Sequence, residues 1–518
     1  MSGQKHIIGK QVIELQVPSG GDTFALQQEV SFVFRNEVLP RLEAMFDRMV
    51  DADTVIRLDL LEVDLGRLDP QRLAASLMEQ ILPKVEQALR EQINSLSATA
   101  SAKNQGTFKI PHSLTESLLY FLENGFFPWW GNKESWGEWE IALADTIAKN
   151  PDSAQKVLNL LRKNPRARDR FLWQFGAKMQ ATLTAYTGNL PDVIEGREAE
   201  WLEFFSQLGK ANHWDKHDIP FVFHQSVQVL RYSLETSQIP ESRAVHLLVR
   251  IFSGQLKIPY RELLKQMLEF LLEGKPVSVF GESVLQPVLL QLWEQTGKKP
   301  LSGKIQTKDS PTPESETPAN KKRIQPEKED FADENEFDKD AENQPEKPLE
   351  PGTGIFIENA GLVLLHPFLA NYFTALNLIQ NGHFVNEESR HRAIHLIQYL
   401  ASGKTETPEH DLSLNKLLCG LPLSIPVTRG VEITEPESVE SETLLQAVIG
   451  HWKALKNTSP DGLRYNFLMR EGKLTFTENG WSLAVEQKTQ DILLGKLPWG
   501  ISRIKLSWMP DLLRVDWA

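Results

Sequence analysis

Cysteine is almost absent from this chain. Cys419 is the one thiol in 518 residues, so no intramolecular disulfide can form, which fits a reducing compartment. Long apolar runs are missing too. Nowhere do about 20 apolar residues follow one another, so no transmembrane helix is expected. The opening MSGQKHIIGKQVIELQV lacks the continuous apolar core of a signal peptide. Positive charge is not in excess: 56 Lys and Arg stand against 69 Asp and Glu, a net charge of −13. Binding to nucleic acid or to an anionic membrane needs a basic face, and neither is expected here. No phosphate-cradling glycine loop, dinucleotide fingerprint or nucleophile elbow occurs, so no cofactor is expected. The composition points to a soluble protein made in the cytoplasm, kept there or carried out only within an assembly.

What the chain does have is an interruption. Between Leu301 and Pro351 large apolar residues nearly vanish, and six prolines fall between Pro311 and Pro348. Residues 301–350 hold 14 acidic and 8 basic side chains, a net −6. Such a stretch buries too little apolar surface to offset the entropy of ordering it. The sequence therefore divides into a small α+β module over 1–98, an α-helical array over 107–300, a disordered linker rich in Pro, Glu and Lys over 301–352, and an α+β C-terminal domain over 353–518. The fold class is mainly α-helical and multidomain, with small α+β modules at both ends.

Within the first module, residues 7–17 alternate apolar and polar and read as a strand. A helix is expected from Phe24 to Met49, kinked at Pro40. Thr54–Leu65 reads as a strand whose apolar parity flips, a sign of a bulge. A second helix follows to about Ile93, kinked at Pro83. From Pro111 to Glu294 three-to-four spacing dominates, broken by Pro and Gly at short intervals. The last domain begins with the apolar run Gly354–Leu369 and passes through further helices. It ends in short strands expected to form an antiparallel sheet, with a hairpin around Glu478-Asn479-Gly480.

Chemistry-bearing patterns are weak. His391 and His395 stand four apart on an expected helix, a spacing that can serve a metal. Arg392 occupies the place where a zinc-protease motif has Glu, and Arg390 adds further positive charge, so a solvated or interface face is the better reading. His213 and His217 repeat the spacing beside Pro220 and read as a loop at a helix start. His366 reads as a satisfied, half-buried histidine, and Cys419 as a small core residue. No catalytic or metal-binding residue is nominated. Thirteen tryptophans cluster at 129–139 and 481–517. Their first reading is as core anchors. Their second is as a partner-binding surface, for which Trp129, Trp130, Trp499, Trp508 and Trp517 are the candidates.

Three segments together resemble the tape measure proteins of bacterial contractile injection systems, the phage-tail-like machines with an inner tube inside a sheath. They are VIRLDLLEVDLGRLDP near the N-terminus, GIFIENAGLVLLHPFL after the linker and LPWGISRIKLSWMPDLLRVDW at the C-terminus. The resemblance implies a non-enzymatic assembly protein that controls or accompanies inner-tube assembly, with tube, baseplate-hub or terminator proteins as partners. It implies a location in the cytoplasm during assembly and in the particle afterwards. The alternative is a globular helical scaffold, chaperone or adaptor that acts only while the particle is built. Long rulers read as nearly unbroken helix, whereas this chain carries 30 prolines and 31 glycines.

Overall fold

The computed structural model describes residues 6, 8, 11–17, 23–49, 54–58, 60–69, 72–96, 106–128, 130–131, 135–214, 218–234, 239–272, 282–295, 352–477 and 480–517. The expected linker at 301–352 lies outside them except for Gly352. Helix dominates, and small sheets accompany it. The chain forms two compact units, one of Met1–Val157, Trp173–Leu183 and Pro348–Ala518, the other of Leu158–Leu172 and Thr184–Lys347. This grouping does not follow the segment boundaries expected from sequence, because residues on both sides of the linker belong to the first unit.

The N-terminal part of the first unit contains α1 (Thr23–Val33), α2 (Leu39–Met49) and α3 (Leu73–Leu96). The helix expected over 24–49 is present, and Pro40 acts on it in a specific way. Proline has no N–H to give to the carbonyl four residues back. The turn Phe34–Val38 widens to a π-helix, and the Leu39 N–H donates to the Phe34 carbonyl. Asn36 Nδ2 donates to the Phe32 carbonyl at 2.8 Å. Val30, Val38, Leu42 and Met45 pack on Leu77, Ile81 and Val85 of α3.

Of the strand expected over 54–65, only β1 (Thr54–Arg57) pairs, and its partner is β2 (Gly106–Lys109), a short polar stretch that gave no strand signal. Residues 60–69 instead lie against α3. Lys84 Nζ donates to the Asp64 carbonyl at 2.9 Å, and Gln92 Nε2 to the Leu60 carbonyl at 3.1 Å. The parity flip marks a segment held by side chains, not a bulge. Residues 11–17 belong to no strand, so the strand expected there does not form over the described residues.

The first unit continues through α4 (Ile110–Asn124), α5 (Trp136–Lys149), the first half of α6 (Pro151–Lys163), and the stretch from the end of α7 (Pro165–Gln174) into α8 (Ala177–Thr184). The second unit holds α9 (Glu198–Ala211), α10 (Ile219–Ser233), α11 (Glu241–Leu256), α12 (Tyr260–Leu272) and α13 (Glu282–Gln295). α10 starts with a polar cap and a proline: Asp218 accepts the Phe221 N–H just before Ile219-Pro220. Trp201, Phe205, Phe223, Leu248, Phe252 and Leu268 are among the residues that fill the core of this unit, and the Phe205 and Phe252 rings stack at 3.9 Å.

After the linker the apolar run resolves into β3 (Gly354–Ile357), a fully buried 3-10 turn at Ala360–Leu365, and α14 (His366–Ala375). Gly361 is required there: a Cβ would sit 1.7 Å from the Phe467 carbonyl oxygen. A small hairpin, β4 (Ile379–Gln380) and β5 (His383–Phe384), precedes α15 (Glu387–Ser402), α16 (Ser413–Leu418), α17 (Glu435–His451) and α18 (Pro460–Leu463). The final strands are β6 (Gly472–Thr477), β7 (Gly480–Val485), β8 (Arg503–Ile504) and β9 (Leu513–Asp516). The β6–β7 hairpin forms where the Asn-Gly signal placed it, with Gly480 at φ 97°.

The sheet order is β3-β6-β7-β9-β8. It corrects the expectation of a purely antiparallel sheet, because β9 runs parallel to β7. The chain returns through the 3-10 segment Thr489–Lys496 and β8 before β9 forms, and this long return lets β9 enter in the direction of β7.

Candidate interaction site

Tryptophan placement follows from hydrogen bonding. A buried indole needs an acceptor for its N–H, and the C-terminal core supplies one for each nominated position there. Trp508 donates to the Leu418 carbonyl at 2.8 Å, with its ring between Phe373 and Phe384. Trp517 is 2 % exposed and donates to Asp491 Oδ2 at 3.2 Å. The guanidinium of Arg470 lies 5.6 Å from the centre of its ring. Trp508 and Trp517 therefore fill the core of this chain. Trp499 is half-buried; it donates to the Leu364 carbonyl at 3.1 Å and meets Phe368 edge-on. Trp130 is half-buried as well, and Trp129 lies outside the described residues. Their neighbours Trp136 and Trp139 are buried in an aromatic group with Phe121, Phe127, Phe175 and His410.

That aromatic group brings the sequence segments of the first unit together. The His410 ring stacks on Trp136 at 5.5 Å, and the Arg429 guanidinium lies 5.8 Å from the Trp136 ring centre. Burial lowers the pKa of His410, so its neutral form is favoured. Beside it, Gln174 uses both ends of its amide. Its Oε1 accepts the Glu409 N–H at 2.9 Å, and its Nε2 donates to the Val427 carbonyl at 2.7 Å. Glu140 accepts from the Gly176 N–H at 2.7 Å and from Trp136 Nε1 at 3.1 Å. None of these roles was visible in the sequence. The partners of Gln174 are 235 and 253 residues away, and no local pattern reports such a contact.

An open cleft of about 620 Å³ lies at this seam. Trp173, Gln174 and Gly176 line one side, and Glu406, Arg429 and Glu432 lie among the lining residues opposite. The cleft lining contains no Cys or His to act as a nucleophile or base.

The face of His391 and His395, read from sequence as a solvated or interface face, instead turns into the chain: His395 is buried and His391 half-buried. Burial lowers His395 to about 4, and its Nε2 faces the Thr428 hydroxyl at 3.3 Å. The pKa of His391 is lowered by burial and by the Lys416 charge. Arg392 pairs with Glu437. Among the described residues no group of three His, Cys, Asp or Glu is placed to hold a metal ion. His213 takes a left-handed φ of 57° in a loop, and His217 is outside the described residues. His366 donates from Nδ1 to the Val363 carbonyl at 2.9 Å and is half-buried, as its pattern suggested. Cys419 is fully buried, and burial raises its thiol pKa far above the usual range. Beneath these groups sits a closed ion pair, Glu409 with Lys416, 0 % and 1 % exposed at their side chains. Among the described residues, no helix is long and apolar enough to cross a membrane.

The site geometry thus consists of helical packing joined to a small mixed sheet, with polar groups such as Gln174 linking distant segments. The chain matches the family model of the contractile injection system tape measure protein over residues 5–517, and it belongs to that family. The family is structural, and tube proteins of the injection particle are its implied partners. No curated protein and no solved structure matches the chain.

Proposed function

We propose that this chain controls or accompanies inner-tube assembly in a contractile injection particle, without catalysing a reaction. It docks on tube, baseplate-hub or terminator proteins, is made in the cytoplasm, and is carried into the particle. The observation that carries the reading is the family match, which runs through both units and across the linker.

Residues 301–352, fully extended, span at most about 170 Å, so a ruler reading gives that stretch a share of the length. A second reading, a folded scaffold or adaptor that acts only during assembly, is favoured by one observation. The C-terminal core includes Phe126, and Gln174 is tied to Glu409 and Val427, so segments from both sides of the linker share one packed unit. Deleting residues 312–336 and measuring particle lengths by electron microscopy separates the two. Shorter particles support the ruler. Unchanged lengths sink it, and mass spectrometry of those same particles then shows whether the chain is a component or a departed scaffold.

A further inference from the structure

The outward face of the C-terminal sheet breaks a rule of strand pairing. Residues directly opposite on antiparallel strands have Cβ atoms about 4.5–5.5 Å apart, and like charges there are destabilising. On β8 and β9 the opposed pair is Arg503 and Arg514. Both are exposed, while their strand neighbours Ile504, Leu513 and Val515 point into the core. Neither arginine has an ion-pair partner among the described residues. Lys505 is exposed close by, two residues after Arg503 on the same parity, and its Nζ donates to the Pro510 carbonyl at 2.5 Å.

The strand edge beside this pair is also open. β8 ends the sheet order and pairs only with β9. The Val515 N–H donates to the Ser502 carbonyl, which places Arg503 and Arg514 at a non-hydrogen-bonded position of the ladder. The main-chain N–H and C=O of Arg503 therefore face away from β9, toward an edge that carries no strand among the described residues. An uncovered edge is a template for an added strand.

In a chain of net charge −13, a cationic pair kept against its own repulsion is a local conflict of the kind that marks a functional site. We propose that the β8 edge and the Arg503–Arg514 face dock an extended acidic segment of a partner protein in the particle. The partner's main chain continues the sheet, and its carboxylates relieve the repulsion between the arginines. Two or three cations are too few to hold a nucleic acid at physiological salt, which favours a protein partner. This rests on the reading of the chain as an assembly protein, but its test is made on the purified full chain and is independent of particle length.

The probe is a labelled peptide of alternating Glu and Val, titrated into the full-length protein and followed by fluorescence anisotropy. The expected result is saturable binding that weakens as salt is raised. Arg503→Glu/Arg514→Glu should weaken it at least about tenfold, or 1.4 kcal/mol. A peptide of alternating Lys and Val should not bind. The single variant Arg503→Glu replaces a like pair with an opposite pair, so its Tm should rise, and a double variant that keeps the parent Tm within a few degrees shows that lost binding is not lost folding. The proposal is overturned if both proteins bind the acidic peptide equally, or if a DNA duplex binds in preference. It is also overturned if the peptide binds only after residues 301–350 are deleted, since the chain's own acidic stretch would then be the occupant.

Discussion

Lys416 makes a buried contribution to the first unit that can be tested directly. Its ammonium has three N–H donors and three acceptors: the Glu409 carboxylate, the Leu423 carbonyl at 3.0 Å and the Ile425 carbonyl at 2.7 Å. Lys416→Met keeps the stem and removes the charge. It takes the cation away from a carboxylate that is 0 % exposed and leaves two carbonyls without that donor. Breaking a buried ion pair from one side costs about 3–5 kcal/mol, and each orphaned carbonyl can add about 1–3 kcal/mol, so a loss of at least about 3 kcal/mol is expected. The assay is hydrogen exchange in the full-length protein, read on peptides covering 409–425, because a chain with two units need not unfold in one step. A loss of that size speeds exchange through local opening by more than about 100-fold. Glu409→Leu together with Lys416→Met removes both charges, and an apolar pair is often neutral or better, so the double variant should regain most of the loss. The reasoning fails if the single variant stays within about 1 kcal/mol of the parent, or if the double variant is as damaged as the two singles added together.

Stability should also fall in acid. His395 is lowered from 6.5 to about 4 by burial, and His366, His391 and His410 are shifted in the same direction. At these four histidines, all in the first unit, the unfolded state takes up protons first as the pH drops, while Asp169 of the second unit, raised to about 6 by burial, acts in the opposite sense. The stabilisation is complete above about pH 6.5 and is lost toward pH 4, with His395 contributing about 3 kcal/mol of the loss at 1.36 kcal/mol per pKa unit. Urea midpoints measured across that window should fall, and His395→Gln should flatten the slope. Gly361→Ala should cost about 2–3 kcal/mol by overpacking, since its Cβ would collide with the Phe467 carbonyl. Gly495→Ala, which has nothing within 4 Å, is the matched control, and equal melting temperatures for the two variants would refute the close-approach argument.

Local chemistry was legible in the sequence, and distant pairing was not. The Asn-Gly hairpin of β6 and β7, the disturbance near Pro40 and the helices of residues 110–295 all rest on interactions within a few residues, and they could be read directly. The strand pattern at 54–65 was misleading because alternation reports what a segment can bury and says nothing about a partner. After β1 the partner strand is missing, and Lys84 and Gln92 of α3 take up the carbonyls instead. β2 was missed because Gly106–Lys109 is short and polar. Of the nominated tryptophans, Trp508 and Trp517 are spent on the core, as their first reading held, while Trp130 and Trp499 keep part of their surface. The seam made by Gln174, Glu140, His410 and Arg429 lies beyond sequence reasoning, because its members are ordinary polar residues brought together only by the fold.

Gln174 also determines where a mechanical load would travel. Residues 158–172 and 184–347 leave the first unit and return to it, so the second unit is an excursion from the first. The Gln174 amide, bonded to Glu409 and Val427, closes the chain on the far side of that excursion, so a pull between residues 174 and 409 loads these two hydrogen bonds.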